Sequence, residues 1–187
     1  MKTSVVVFPG SNCDRDVQRA VSETLNTSVD IVWHGESSLS NKHDLVILPV
    51  GFSYGDYLRS GAMAARSPIM AAVKKHAAEG GMLLGICNGF QVLTEAHLLP
   101  GALLSNTSLT FICRKCHVRV ESNDNMFTSS YNKGDILQFP IAHHEGLYFL
   151  TENELRELED SGRVVFRYAD PATGAAGAEY APNGALN

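Results

Sequence analysis

An α/β fold is what this sequence predicts: a doubly wound, mostly parallel sheet with helices on both faces and a small antiparallel extension in the C-terminal half. Three observations carry the expectation. Between Ser4 and Leu98, apolar runs of strand length alternate with segments of helical period in the order βαββαβα. The strand runs are continuously apolar, as strands buried on both faces of a parallel sheet must be. Glycine-rich turns follow Phe8, Pro49 and Ile86, where such sheets bind ligands beyond the carboxyl ends of their strands.

Each element has its own reason. Ser4 to Phe8 is a β-branched run fit for a central strand, and Pro9-Gly10-Ser11-Asn12 is turn chemistry in which Ser11 or Asn12 would cap the next helix. Val17, Ala20, Val21 and Leu25 recur at helical spacing up to Asn26. Val29 to Trp33 and Leu45 to Pro49 read as the second and third strands. Ser67-Pro68 opens a helix, a cap followed by proline at the first position, and Gly80-Gly81 closes it. Its apolar face is Ile69, Met70, Val73 and Ala77. Met82 to Ile86 is a short buried strand, followed at once by a helix through Phe90, Leu93 and Ala96 to about Leu98. Beyond Gly101 the texture changes. Leu109 to Val120 and Ile136 to Pro140 are strands with a polar turn at Ser122 to Asn125. Thr151-Glu152-Asn153-Glu154 is a capping box opening a short helix, Val164 to Tyr168 a last strand, and the tail from Asp170 is rich in Ala, Gly and Pro.

Composition narrows the class. The 187 residues are 44% hydrophobic and 19% charged, an ordinary globular balance, and read as one domain over 1–187. A formal charge of -5 with no basic cluster argues against nucleic acid as a partner. The N-terminal apolar run, Val5 to Phe8, is too short for a signal peptide, and no stretch approaches the ~20 residues of a membrane span. A cytoplasmic protein with four reduced cysteines is expected.

The chemistry centres on Gly85-Ile86-Cys87-Asn88-Gly89. Glycines two residues either side of a nucleophile, between a strand and a helix, are the signature of a nucleophile elbow, a strained turn that lifts one side chain clear of the sheet. A Cβ at either glycine would collide with the neighbouring strand or helix. The turn would also set the sulfur at a helix N-terminus, which favours thiolate over thiol. The plain alternative is a free cysteine buried under a βα turn. A second stretch, Pro49-Val50-Gly51-Phe52-Ser53-Tyr54-Gly55-Asp56-Tyr57-Leu58-Arg59-Ser60-Gly61, crowds glycines, aromatics and an Asp/Arg pair into one loop after a strand. If it faces the elbow, N–H groups at Gly51 and Asn88 form an oxyanion hole.

Gly-Ile-Cys-Asn-Gly-Phe-Gln resembles the Cys-x-Gly-x-Gln nucleophile motif of the class I (triad-type) glutamine amidotransferases. Phe-Pro-Gly-Ser-Asn-Cys-Asp, Gly-Phe-Ser-Tyr-Gly-Asp-Tyr-Leu-Arg, Leu-Leu-Pro-Gly-Ala and Pro-Ile-Ala-His-His-Glu-Gly narrow the resemblance to the glutaminase subunits of de novo purine synthesis, over almost the whole chain. The resemblance implies a flavodoxin-like fold with Cys87 attacking the side-chain amide of glutamine. Gly51 and Asn88 would be the oxyanion donors, and Phe52, Gln91 and His143 would be substrate contacts. It implies no cofactor or metal in this chain. The partner would be a large synthetase that uses ATP and Mg on formylglycinamide ribonucleotide, with a small third subunit in many bacteria.

The sequence also departs from that family. Its triads end in a late His-x-Glu that these 187 residues do not contain, so little turnover by this chain alone is expected. Val50 stands where glycine is usual, and a β-branched residue resists positive φ, so a loop that needed such geometry would be distorted. Ser60 and His144 replace cysteine and glycine. Two rivals remain: a non-catalytic interaction subunit or truncated copy of the same fold, and a cysteine hydrolase or deglycase of a related fold. The latter usually place histidine beside the nucleophile, where this chain has Asn88.

Cys113-Arg-Lys-Cys116-His117 matches a zinc half-site and a haem attachment on paper, but on a continuous strand the two thiols point to opposite faces. An incidental role is expected. His143-His144-Glu145 reads as a loop lining the glutamine site rather than a metal cluster, with a substitute base as a remote alternative. Cys13 reads as a buried thiol in a tight turn, and His34, His43, His76, His97 and His117 as surface or packing residues.

Overall fold

In a computed structural model of the chain, which describes residues 1–39 and 43–186, the residues gather into two compact units, Met1–Pro100 and Gly101–Asn187.

The first unit follows the expected order. Strand β1 (Thr3–Val7), helix α1 (Asp14–Leu25), strands β2 (Val29–Trp33) and β3 (Leu45–Leu48), helix α2 (Ile69–Ala78), strand β4 (Met82–Gly85) and helix α3 (Asn88–Glu95) run in sequence. The strands pair in parallel in the order β2-β1-β3-β4. On one face Val6, Val32, Val46 and Leu48 pack with Ile69, Met70 and Val73 of α2, Val92 and Leu93 of α3 and Ala96 just after it. On the other, Val5, Val29, Leu45 and Ile47 pack with Val17 and Val21 of α1. Both faces of the sheet are therefore covered by helix, which is why its strands lack polar alternation. The strand order reverses direction between β1 and β3, and that switch point opens a crevice at their carboxyl ends.

Local chemistry differs from expectation at two helix ends and along one helix face. Neither Ser11 nor Asn12 caps α1: Cys13 holds the N-cap with no side-chain cap bond, while the Ser11 hydroxyl accepts from the Phe8 N–H at 3.1 Å. Asp14 and Asp16 in the first turn answer the helix dipole instead. Ala20 and Leu25 lie exposed, so only Val17 and Val21 seat α1 on the sheet. Helix α3 stops at Glu95 rather than Leu98, because His97 turns left-handed (φ 58°).

In Gly101–Asn187, β5 (Ala102–Leu104), β6 (Ile112–Val120), β7 (Ile136–His143), β8 (Leu147–Phe149), α4 (Glu152–Asp160) and β9 (Phe166–Tyr168) form two antiparallel sheets, β5-β8 and β7-β6-β9. The capping box is present: Thr151 Oγ1 accepts from the Glu154 N–H at 3.4 Å, and the Glu154 carboxylate accepts from the Thr151 N–H at 2.9 Å. Strand β6 begins three residues later than expected, since Leu109 is left-handed (φ 53°). β5 and β8 span three residues each, too short for a period to declare itself. Among the described residues no helix is long and apolar enough to cross a membrane.

Candidate active site: a thiol elbow at the strand ends

Cys87 is the turn itself. It sits between β4 and α3 at φ 55°, ψ −109°, a conformation no unstrained L-residue chooses, which costs on the order of 1–3 kcal/mol and persists only when its surroundings enforce it. They do. A Cβ on Gly89 would lie 2.0 Å from the Leu48 carbonyl oxygen, and one on Gly85 would lie 2.7 Å from the Gly89 oxygen and 2.6 Å from Leu93 Cδ1. The two glycines let α3 press directly on β3 and β4, which forces the strain onto the residue between them. The predicted collision is thus present on both sides of the cysteine.

The loop after β3 comes to meet the elbow. Ser11 and Gly51 form an isolated bridge, with the Phe52 N–H donating to the Gly10 carbonyl at 3.0 Å, so the loops after β1 and β3 close on each other. The Ser53 N–H then donates to Asn88 Oδ1 at 3.1 Å, and Asn88 Nδ2 donates to Gln91 Oε1 at 2.9 Å and to Asp56 Oδ1 at 3.4 Å. Asn88, 2% exposed, is therefore the residue that clamps this loop to the nucleophile turn. The bridge leaves the Gly51 N–H unspent, and among the described hydrogen bonds it has no protein acceptor. The Asn88 N–H has none except the Cys87 sulfur it faces. An oxyanion hole is built from backbone N–H groups of this kind.

Val50 does not disturb this arrangement. It is absent from the residues with positive φ, so the position makes no demand for glycine, and its carbonyl accepts from Asn12 and Cys13. The strain lies further on, where Tyr54 (φ 54°), Gly55 (66°), Asp56 (55°) and Leu58 (70°) are all left-handed. Tethers hold them: the Tyr54 hydroxyl lies 2.9 Å from His34 Nδ1 and 3.2 Å from Ser67 Oγ. Arg59 forks onto Glu95 of α3 at 2.6 and 2.7 Å. Phe52, Tyr57 and Leu58 remain exposed at 48, 74 and 92%.

Electrostatics run against one expectation. A thiolate is not favoured in this state: burial in the crevice pushes the Cys87 thiol up from 9.0, the Asn88 N–H opposes that, and the charges of Asp56 and Cys13 push it further up. The residue still reaches solvent, so the sulfur is open to a reagent while packed protein thins the water around it. Cys13, half-buried at the start of α1, is raised too, first by burial and then by Asp16. Among the described residues of Met1–Pro100 no histidine bonds to Cys87; His34 pairs with Tyr54 and His43 with Asp30.

Of the other expected site residues, Phe52 and Gln91 stand on the two elements that Asn88 joins, with the Gln91 amide oxygen committed to Asn88. His143 ends β7 in the second unit, its ring over Gly146, its Nδ1 buried with no partner among the described residues and its basicity lowered by burial. The Cys113/Cys116 pair diverges as expected: Cys113 is exposed and Cys116 buried on opposite faces of β6. No metal-holding group of His, Cys, Asp or Glu occurs among the described residues. Sequence reasoning missed the Asn88 side chain as a clamp and gave Asp56 no place; their only signal was proximity to glycines in the two loops.

A strained thiol at a switch point, beside backbone N–H groups with no protein oxygen acceptor among the described hydrogen bonds, is an arrangement with which an α/β protein can attack a carbonyl carbon. The chain belongs to the family of CobB/CobQ-like glutamine amidotransferase domains, which it matches over residues 1–187. Within that family it is similar to phosphoribosylformylglycinamidine synthase subunit PurQ of Rhodopseudomonas palustris, at 51% identity over 185 residues covering 99% of this chain and 79% of the relative. The same subunit of Thermosynechococcus vestitus is 52% identical over 187 residues, 100% of this chain and 77% of the relative. Among solved structures, PurLQS from Thermotoga maritima shares 40% identity and a TM-score of 0.79 over 99% of this chain and 85% of that one. The glutaminase domain of Trypanosoma brucei CTPS, at 16% identity and TM-score 0.57 over 94% of this chain and 78% of that one, shares the fold.

Proposed function

We propose that this chain is the glutaminase component of a phosphoribosylformylglycinamidine synthase, splitting glutamine at Cys87 and handing the ammonia to a synthetase partner. The observation that carries the chemistry is the strained Cys87 turn, tied through Asn88 to the loop whose Gly51 N–H has no protein acceptor among the described hydrogen bonds. The PurQ relatives support the biological setting. The sulfur, once deprotonated, attacks the side-chain amide carbon, and the oxyanion accepts hydrogen bonds from Gly51 and Asn88. The C–N bond breaks, ammonia leaves with an added proton, and a glutamyl thioester remains. Water then attacks the thioester, releasing glutamate and the thiol, so that glutamine and water give glutamate and ammonia.

The product explains the partner. Ammonia released into neutral water is protonated and loses its nucleophilicity, so the hydrolysing site should dock against the enzyme that consumes it. That partner is a large synthetase subunit that uses ATP and Mg to convert formylglycinamide ribonucleotide to formylglycinamidine ribonucleotide, with a small third subunit in the same cytoplasmic assembly. The exposed Phe52, Tyr57 and Leu58, held next to the elbow by Ser53 and Asn88, suit a contact that couples the two sites.

A diazo-ketone analogue of glutamine tests the reading. Peptide mapping should find a thioether at Cys87 and nowhere else, and the Cys87→Ala protein should take up none. Failure to modify Cys87 would overturn the assignment of a glutamine pocket. Mixing the chain with a synthetase subunit, ATP and formylglycinamide ribonucleotide should let glutamine replace ammonia as nitrogen donor.

A further inference from the structure

We infer that Tyr54 is a positioning residue for the Cys87 elbow: its hydroxyl, held by His34 and Ser67, fixes the loop that bonds Asn88. The inference rests on the glutamine-hydrolysing reading above and extends that site to residues behind it. The path is a run of direct contacts. Tyr54 Oη lies 2.9 Å from His34 Nδ1 and 3.2 Å from Ser67 Oγ. The Tyr54 N–H donates to the Pro9 carbonyl at 2.6 Å, and the Ser53 N–H beside it donates to Asn88 Oδ1 at 3.1 Å. Asn88 follows Cys87 directly in the chain. The far end of the path is itself fixed. The His34 N–H donates to the Val7 carbonyl at 2.9 Å, and the His34 carbonyl accepts from the N–H of Ile69, the first residue of α2, at 3.2 Å. The His34 ring stands edge-on to Trp33 and Tyr54, with centroids 4.4 and 5.6 Å away. Ser67 is buried just before α2. Tyr54 therefore ties the loop after β3 to the end of β2 and the start of α2, while Ser53 ties it to α3.

The hydroxyl, not the ring, carries this role. Tyr54 stands at φ 54°, where any residue with a Cβ is strained and glycine is not. Its ring packs against the core of the first unit, and phenylalanine would pack there as well. What phenylalanine lacks is the group that reaches His34 and Ser67. A hydroxyl has one proton to give and lone pairs to receive, so it serves both partners at once. The loop has a second tether, from Arg59 to Glu95, but that one ends on the last residue of α3, whereas Ser53 ends on the first. Loss of the Tyr54 hydroxyl thus loosens the loop at its connection to the nucleophile turn. Because that hydroxyl is spent on protein, it offers a bound reagent no bond of its own. Its removal changes how the reagent meets the sulfur and leaves binding little altered. A misplacement of about 1 Å at reacting atoms can slow a reaction about a hundredfold.

The experiment follows modification of Cys87 by the diazo-ketone analogue of glutamine over a range of concentrations, which separates the limiting rate from the half-saturating concentration. It compares the full chain with Tyr54→Phe, His34→Ala, His34→Asn and the double variant Tyr54→Phe/His34→Ala. Iodoacetamide, which needs no pocket, reports the thiol itself, and thermal melting reports folding. Tyr54→Phe should lower the limiting rate about tenfold, with the half-saturating concentration held within about threefold and the iodoacetamide rate within about twofold. His34→Ala should do the same. His34→Asn, whose side-chain amide can take the place of Nδ1, should recover the limiting rate to within about threefold of the unaltered chain. The double variant should be no slower than the slower single one, since both changes remove one contact. An unchanged limiting rate in folded Tyr54→Phe overturns the inference. So does a raised half-saturating concentration at an unchanged limiting rate, which would make Tyr54 a wall of the pocket, and so do additive losses in the double variant. If Tyr54→Phe does not fold, the His34 pair decides, and equal rates in His34→Ala and His34→Asn overturn the role. An unaltered chain whose Cys87 reacts with iodoacetamide but not with the diazo-ketone overturns the glutaminase reading, and the inference with it.

Discussion

Two cysteine motifs stand in this chain, and they teach opposite lessons. Cys113-Arg-Lys-Cys116-His117 has the more familiar spelling, yet it lies on a regular strand whose pleat sends one thiol to solvent and the other into the core. Gly85-Ile86-Cys87-Asn88-Gly89 has a single thiol, but its backbone is bent out of every relaxed conformation, and Asn88 ties it to the loop after β3. Residue type proposes a site; backbone geometry makes one. On β6 nothing converges, because extended backbone separates residues three apart. At the elbow everything converges, because two missing Cβ atoms let helix and strands close on the residue between.

The comparison can be broken most severely at the thiol. Cys87→Ala should abolish modification by the diazo-ketone glutamine analogue, whereas Cys113→Ala and Cys116→Ala should retain it, as peptide mapping would show. Labelling that persisted in Cys87→Ala would move the site elsewhere. The next largest effect is expected at Gly89→Ala. A Cβ 2.0 Å from the Leu48 backbone oxygen cannot be relieved by a side-chain rotation, so α3 must lift from β3. A cost of about 2–4 kcal/mol in denaturant unfolding, with loss of labelling, follows from forcing atoms into a packed core. A variant as stable as the parent would disprove the close packing.

Asn88→Ala removes the clamp and leaves the Ser53 N–H, in a buried residue, without its acceptor, which should cost about 1–3 kcal/mol and slow labelling of Cys87. Unchanged stability would show that the loop holds its place without that bond. A smaller effect is in pH. Because burial pushes the Cys87 thiol above the usual thiol range, iodoacetamide modification should keep rising with pH on the alkaline side, at close to tenfold per unit, rather than levelling off near neutrality. A plateau by pH 7 would mean a thiolate already formed. Cys116, buried and likewise raised, should stay inert in the folded protein. The smallest effect belongs to Cys113→Ser, exposed on β6, whose stability should lie within about 0.5 kcal/mol of the parent by thermal melting.

Much of the first unit was legible because its signals are local. The run Val5-Val6-Val7, Gly80 after α2 and the glycines around Cys87 each act within a few residues, and the strands and helices fall within a few residues of where those signals put them. Ser11 was misread as a cap because serine has two local uses, and the hydroxyl bonds the Phe8 N–H behind it instead of the helix ahead. Val50 looked like a fault only while positive φ was sought at that position; the left-handed residues of the loop lie further on, at Tyr54, Gly55, Asp56 and Leu58. The short strands β5 and β8 exist by pairing with each other and carry almost no sequence period of their own.

By itself, then, the sequence determined the doubly wound order, the elbow and the family, since periodicity, glycine spacing and motif are properties of neighbouring residues. Only the tertiary structure decided what the elbow faces. The bond from Ser53 to Asn88 joins residues 35 positions apart, and the Asp56 contact joins residues 32 apart. It also reversed the electrostatics, because desolvation and Asp56 are contributed by protein folded around the sulfur, while the helix terminus that favours thiolate is local and could be read in advance.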